Sequence, residues 1–134
     1  MTDITVCVSR IERTSASEAA VRDHRVVMDR PESKGGGNAG AMGGEMLLAS
    51  FGGCFMSNLI AAAEGRDLSP TALAATVTGT LDGQPTRFTR IAVEVTYRGV
   101  TTEEMEKLVQ IAEKGCIVRN TLKGSVEISV SLAF

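Results

Sequence analysis

The sequence has few of the residues that nucleic-acid and metal sites require. It contains no tryptophan, one tyrosine, four phenylalanines and a single histidine, His24, among 134 residues. Fourteen basic residues against sixteen acidic ones give a net charge of −2. Nucleic-acid platforms need a basic surface and aromatic stacking partners, so we expect no nucleic-acid partner. One histidine and no closely spaced cysteines also argue against a metal site.

The cysteine spacing and the first residues are not typical of a disulfide framework or a targeting segment. The three cysteines, Cys7, Cys54 and Cys116, are odd in number and far apart, unlike those of small secreted proteins. Residues 1–5 do not have the basic and then apolar layout of a signal peptide. We therefore expect a cytoplasmic protein with free or cycling thiols. The length predicts one domain, residues 1–134.

One long segment lacks charge. Residues 46–63 form an 18-residue uncharged run, close to the shortest length that spans a membrane. The run contains Ser50, Gly52 and Asn58 and lacks flanking basic clusters and an aromatic belt, so we expect no membrane partner. It reads instead as a helix buried on all sides. In so small a protein, such burial needs two sheets or a second subunit.

Hydrophobic periodicity gives the order of the elements. Strands are predicted from period-two alternation, and the second helix from its apolar face and the capping-box spacing of Thr101 and Glu104. The order β-β-α-β-β-α-β indicates an α+β fold. The segments lie at residues 3–11, 25–28, 45–64, 73–82, 87–98, 101–115 and 126–134.

A glycine-rich segment, residues 33–44, separates the first strands from the long helix. Gly35 to Gly40 formally match the dinucleotide motif G-x-G-x-x-G. That motif must leave a strand directly, whereas five residues, 30–34, intervene here. We expect a flexible loop, either a connector or part of an active site.

Cys54 lies within the apolar helix, and two interpretations are open. It is either a buried cysteine acting as a small hydrophobe or a reactive thiol. Gly52 and Gly53 weaken the helix and suggest a close approach by another group. Ser50 and Asn58 lie four residues to either side, on the same helical face. A reactive thiolate would need a cation, for which the candidates are Arg10, Arg13, Arg22 and Arg25.

Cys116 follows the second helix and also allows two interpretations. It is either a structural cysteine in a helix-to-strand loop or a mobile thiol able to pair with Cys54. Two separated cysteines in one chain do not by themselves establish a pair.

The segments around both cysteines resemble the family of osmotically induced protein C and the organic hydroperoxide resistance proteins (OsmC/Ohr). The first is Glu45-Met-Leu-Leu-Ala-Ser-Phe-Gly-Gly-Cys54, which matches the start of the family's long helix. The second is Cys116-Ile-Val-Arg-Asn-Thr121-Leu122, followed by a closing strand. The element order matches as well, so the resemblance covers nearly the whole chain.

The resemblance implies an intertwined homodimer, with long central helices packed between shared sheets. It implies that Cys54 attacks an organic hydroperoxide, that Cys116 resolves the product as a disulfide, and that an arginine from the N-terminal strands assists. Arg22 is the first choice for that arginine and Arg13 the second. Members place a catalytic Glu ten residues before the first Cys, where this chain has Gly44. Glu45 follows, and nine residues of helix rotate by about 900°, which turns it away from Cys54.

The primary hypothesis is therefore a homodimeric thiol peroxidase that an external dithiol resets, with no metal or organic cofactor. An apolar pocket for organic substrates is predicted along Leu47, Phe51, Phe55 and Met56. The alternative is a non-catalytic protein of the same fold that binds a small apolar or thiol ligand at the dimer interface. A purely structural dimer with inert thiols is the third possibility.

Overall fold

The computed structural model describes residues 1–133, so Phe134, predicted to end the last strand, lies outside the described residues. The chain forms two units, one from residue 1 to residue 47 and one from residue 48 onward. Each is described by itself, and the assignment of residues 1–134 to one domain stays a prediction. The predicted α+β fold class is confirmed, with two three-stranded sheets and three helices.

The first unit holds an antiparallel sheet in the order β1-β2-β3. Its strands are β1 (Cys7–Arg10), β2 (Ser17–Val21) and β3 (His24–Met28). The sequence predicted two strands here, and β2 was missed. Its residues include Glu18, Ala19 and Ala20, which have low strand propensity and no large alternating side chains. Pairing with a neighbour on each side overrides that weak local preference.

The glycine-rich loop is anchored by Asp29, directly after β3. The Asp29 carboxylate accepts a hydrogen bond from the Ser15 hydroxyl (2.7 Å) and from the amides of Arg30 (2.7 Å), Gly37 (3.2 Å) and Ala39 (3.1 Å). Asp29 is only 7% exposed, and the Ser15 hydroxyl, followed by the amides, lowers the pKa of its carboxyl. The flexible loop predicted from composition is therefore tied to the sheet, because one carboxylate satisfies several loop donors.

The second unit holds the other sheet, in the order β4-β5-β6. β4 and β5 form an antiparallel hairpin, whereas β6 runs parallel to β5. The long helix α1 begins in the first unit and continues into the second. The elements are α1 (Gly43–Gly65), β4 (Thr71–Asp82), β5 (Arg87–Arg98), α2 (Thr102–Gly115), α3 (Ile117–Leu122) and β6 (Glu127–Ala133).

The central strand β5 and the two longer helices supply the core of the second unit. Alternate residues of β5 are buried, as its period-two pattern predicts, and α2 begins at the predicted capping box between Thr101 and Glu104. Each large side chain that becomes fully buried contributes roughly 1.5–3 kcal/mol. The core side chains from these elements are Phe51, Phe55, Leu59, Ala63, Ile91, Val93, Val95, Tyr97, Met105, Leu108, Val109 and Ala112.

Helix α1 buries one stripe within the chain, not its whole circumference. Phe51, Phe55, Leu59 and Ala63 repeat every four residues and are buried, whereas Ile60 is 45% exposed. By length and composition α1 is also able to cross a membrane, a test that core helices of soluble proteins pass too. The all-round burial expected from the sequence is not met by one chain alone.

Helix α3 was not predicted, since the residues after Cys116 were assigned to a helix-to-strand loop. Six residues are too few to show helical periodicity, and Val118, Asn120 and Thr121 have modest helix propensity. Side chains stabilise the turn locally. Asn120 Nδ2 donates to the Lys114 carbonyl (3.0 Å), and Thr121 Oγ1 donates to the Ile117 carbonyl (2.8 Å).

The Asp29 anchor predicts a pH-dependent contribution to stability. A lowered pKa means that the contribution is complete above the ordinary value of 3.8 and is lost as pH falls through the folded-state value. Urea unfolding over a pH series should show wild type more stable than Asp29→Asn at neutral pH, with the difference shrinking in acid. Asp23→Asn, in the exposed β2–β3 turn, is the control. A pH-independent difference would contradict the anchor.

Candidate functional site: a pair of free thiols

Cys54 and Cys116 come together in the second unit. Cys54 lies on α1 and is half-buried, while Cys116 lies between α2 and α3 and is 0% exposed. Both are free thiols, and Cys54 lies close enough to raise the pKa of the Cys116 thiol. The backbone geometry agrees, because Asn58, bonded to the Cys54 carbonyl, faces Gly115, the residue before Cys116. The structure therefore places adjacent to each other two sulfur atoms that are 62 positions apart in the sequence.

The two thiols have different environments. Burial is the largest effect on Cys116 and raises the pKa of its thiol, and the neighbouring Cys54 raises it further. The amide of Arg119 donates to Cys116 Sγ (3.5 Å) and works in the opposite direction. At neutral pH Cys116 is consequently a protonated, enclosed thiol, whereas Cys54 is partly accessible to solvent.

Asn58 and Gly52 connect Cys54 to its surroundings. Asn58 Nδ2 donates to the Cys54 carbonyl (2.9 Å), so the polar face predicted from Ser50, Cys54 and Asn58 includes a real contact. A Cβ added to Gly52 would lie 3.1 Å from Val77 Cγ2 on β4, whereas one added to Gly53 would meet nothing within 4 Å. Of the two glycines singled out in the sequence, only Gly52 marks a close approach within the described residues.

Arg119 was not among the residues picked out from the sequence. It lies on α3, three residues after Cys116, and its guanidinium Nε is 3.3 Å from Glu113 Oε2. Its amide is the one that contacts the Cys116 sulfur. The three-residue spacing between Cys116 and Arg119 did not indicate a contact in the sequence. The segment was interpreted as a loop, in which residues three apart share no face.

The predicted assisting residues lie in the first unit. Glu45 is in the first turn of α1, where its Oε1 accepts from the Met42 amide (2.8 Å). Arg22 is exposed in the two-residue turn between β2 and β3, and Arg25 pairs with Glu18 (3.6 Å). The catalytic roles assigned to Glu45 and Arg22 stay predictions.

The second choice of arginine lines a cavity in the first unit. Arg13 lies in the loop between β1 and β2 with a positive φ of 64°. The cavity has a volume of about 700 Å³, and Arg10, Ser15, Asp29 and Gly37 also line it. Asp29 is the anchor of the glycine-rich loop, so this cavity adjoins that loop.

The predicted apolar pocket is not formed as expected. Phe51 and Phe55 are both 0% exposed and belong to the core of the second unit, so neither lines an accessible pocket. Met56 is partly buried against the same core.

Among residues 1–133 no group of histidine, cysteine and acidic side chains could hold a metal ion.

The class is therefore that of small α+β proteins with a long apolar helix and two neighbouring free thiols. The chain belongs to the OsmC-like protein family, whose model matches residues 35–131. A comparison with curated protein sequences finds no match.

Solved structures of the same fold align with nearly the whole chain. The OsmC-like protein of Mycoplasma pneumoniae is 18% identical, with a TM-score of 0.85 over 98% of this chain and 96% of that one. An organic hydroperoxide resistance protein OsmC from Legionella pneumophila is 19% identical, with a TM-score of 0.78 over 100% and 98%. An organic hydroperoxide resistance protein from Elizabethkingia anophelis is 18% identical, with a TM-score of 0.77 over 99% of this chain and 96% of that one. At these identities the likeness shows the fold alone.

The difference in environment predicts an order of thiol reactivity. With iodoacetamide at neutral pH, Cys116 should be alkylated about tenfold or more slowly than exposed Cys7, because it is enclosed and protonated. Mass spectrometry of quenched time points measures each rate. In urea the rates should converge. Equal rates for Cys116 and Cys7 in the native protein would contradict the described site.

Proposed function

We propose that this protein is a cysteine-based peroxidase that reduces organic hydroperoxides in the cytoplasm. The observation that carries the proposal is the proximity of Cys54 and Cys116, on elements that meet at Asn58 and Gly115, in an OsmC-like fold. Structural relatives that are described as organic hydroperoxide resistance proteins support the substrate class.

The reaction has three steps. The Cys54 thiolate attacks the terminal peroxide oxygen, the O–O bond breaks, and the departing alkoxide takes a proton and leaves as an alcohol. The Cys54 sulfenic acid then condenses with the Cys116 thiol, which forms a disulfide and releases water. An external dithiol exchanges with this disulfide, becomes oxidised itself and restores both thiols.

The unequal environments support the division of roles. Cys54 is partly exposed, so a peroxide can reach it, whereas Cys116 is enclosed and its raised pKa keeps it protonated until Cys54 is oxidised. A protonated thiol does not compete for the peroxide, and it loses its proton to the departing hydroxyl group when it condenses with the sulfenic acid. Arg22 and Glu45 are proposed as assisting residues on the resemblance, with Arg13 as the alternative arginine.

A homodimer is proposed as well. Only 22% of the apolar window of α1 is buried within the chain, and Ile60 on this helix is 45% exposed. A second copy presenting the same helix would cover this exposed surface, and a two-fold axis makes such a surface self-complementary. This is the arrangement that the family resemblance implies.

The peroxidase proposal predicts a defined pattern in stopped-flow experiments with cumene hydroperoxide. Wild type should lose both the Cys54 and the Cys116 thiols rapidly. Cys54→Ser should reduce the rate to background, Cys116→Ser should consume one equivalent and stop, and Cys7→Ser should behave as wild type. Wild type that is no faster than Cys54→Ser would contradict peroxidase activity. Saturable ligand uptake that survives Cys54→Ser would favour the binding alternative.

The dimer proposal predicts a mass in solution of twice the 14.1 kDa chain. Light scattering coupled to size exclusion measures it without detergent. Ile60→Asp should dissociate the dimer because it places a charge in the covered apolar surface. Leu81→Asp changes an equally apolar residue, 57% exposed on β4, and should leave the mass unchanged. A monomeric wild type would contradict the proposal.

A further inference from the structure

One side chain contacts the backbone next to both cysteines. Asn58 Nδ2 donates to the Cys54 carbonyl (2.9 Å), and its Oδ1 faces Gly115, the residue that directly precedes Cys116. A Cβ added to Gly115 would lie 2.5 Å from Asn58 Oδ1 and 3.3 Å from Asn58 Cγ. The last turn of α2 therefore rests against α1, and a side chain at Gly115 would displace the Asn58 amide.

The glycine is needed for this approach and not for its backbone conformation. Gly115 does not have the positive φ found at Gly35, Gly83 and Gly99. At the end of a helix with an ordinary φ, alanine would be the better helix former. Asn58 is also not free to move aside, because turning its amide away breaks the hydrogen bond to the Cys54 carbonyl. A methyl group at Gly115 must break that bond or push α2 away from α1.

We propose that Asn58 and Gly115 are positioning residues whose contact holds Cys116 against Cys54 for disulfide formation. The inference rests on the proposed peroxidase function and deepens it. The contact acts on the second step. In that step the S–O bond of the Cys54 sulfenic acid breaks, the S–S bond forms, and the Cys116 proton leaves with the hydroxyl group as water. The first step, attack on the peroxide, does not involve Cys116 and does not depend on the contact.

The kinetic test separates the two steps. In Gly115→Ala, the Cys54 thiol should disappear within about twofold of the wild-type rate, while disulfide closure should slow by about tenfold or more, since a misplacement of about 1 Å can cost about a hundredfold. Dimedone should then trap Cys54 sulfenic acid that escapes it in wild type. Gly124→Ala, where a Cβ would meet nothing within 4 Å, is the matched control. Closure at the wild-type rate in Gly115→Ala would overturn the proposal.

A second variant distinguishes positioning from general damage to the fold. Asn58→Ala removes the amide that the Gly115→Ala methyl group meets, so the double variant should close the disulfide faster than Gly115→Ala alone. Asn58→Ala by itself should slow closure moderately, because the link to the Cys54 carbonyl is lost. Single effects that simply multiply in the double variant would overturn a direct contact.

An equilibrium measurement tests the inference without any peroxide. After oxidation with diamide and titration with dithiothreitol, Gly115→Ala should shift the Cys54–Cys116 equilibrium toward the dithiol by about tenfold relative to wild type and Gly124→Ala. An unchanged equilibrium would overturn the positioning role. If wild type does not react with hydroperoxides but Gly115→Ala still shifts the equilibrium, the peroxidase proposal is refuted and the contact is supported.

Discussion

The site depends on one constraint, the fixed orientation of helix α1 about its own axis. Phe51, Phe55, Leu59 and Ala63 form a ridge with four-residue spacing, and their burial in the core of the second unit fixes which way the helix faces. Cys54 and Asn58 each precede a ridge residue by one position, so they form a parallel row about 100° around the helix. The same burial that stabilises the unit therefore sets the direction of the thiol.

The second constraint comes from the end of α2. Its apolar face joins the same core, which brings Gly115 against Asn58 and places Cys116 in an enclosed position. Burial raises the pKa of Cys116, while the Arg119 amide partly compensates. Two chemically identical side chains thereby become different, one accessible and one withheld. Burial is the largest cause of this difference.

The sequence predicted those parts of the molecule that have strong local signals. The buried face of β5, the capping box of α2 and the extent of α1 were visible as periodicity and spacing. Strand β2, with its alanines, and the six-residue helix α3 depend on tertiary pairing and side-chain contacts that periodicity does not record. The family resemblance supplied the roles of the two cysteines, whereas position 115 was predicted only as the end of the second helix. Its contact with Asn58 joins distant segments and leaves no pattern in the sequence.

A peptide map of the oxidised protein tests the central claim most directly. Trypsin releases Cys54 within residues 35–66, Cys116 within residues 115–119 and Cys7 within residues 1–10. After one equivalent of cumene hydroperoxide, the unreduced digest should contain the first two peptides joined by a disulfide. Recovery of Cys54 as a sulfinic acid beside an unmodified Cys116, or a disulfide that includes the peptide of residues 1–10, would contradict the account.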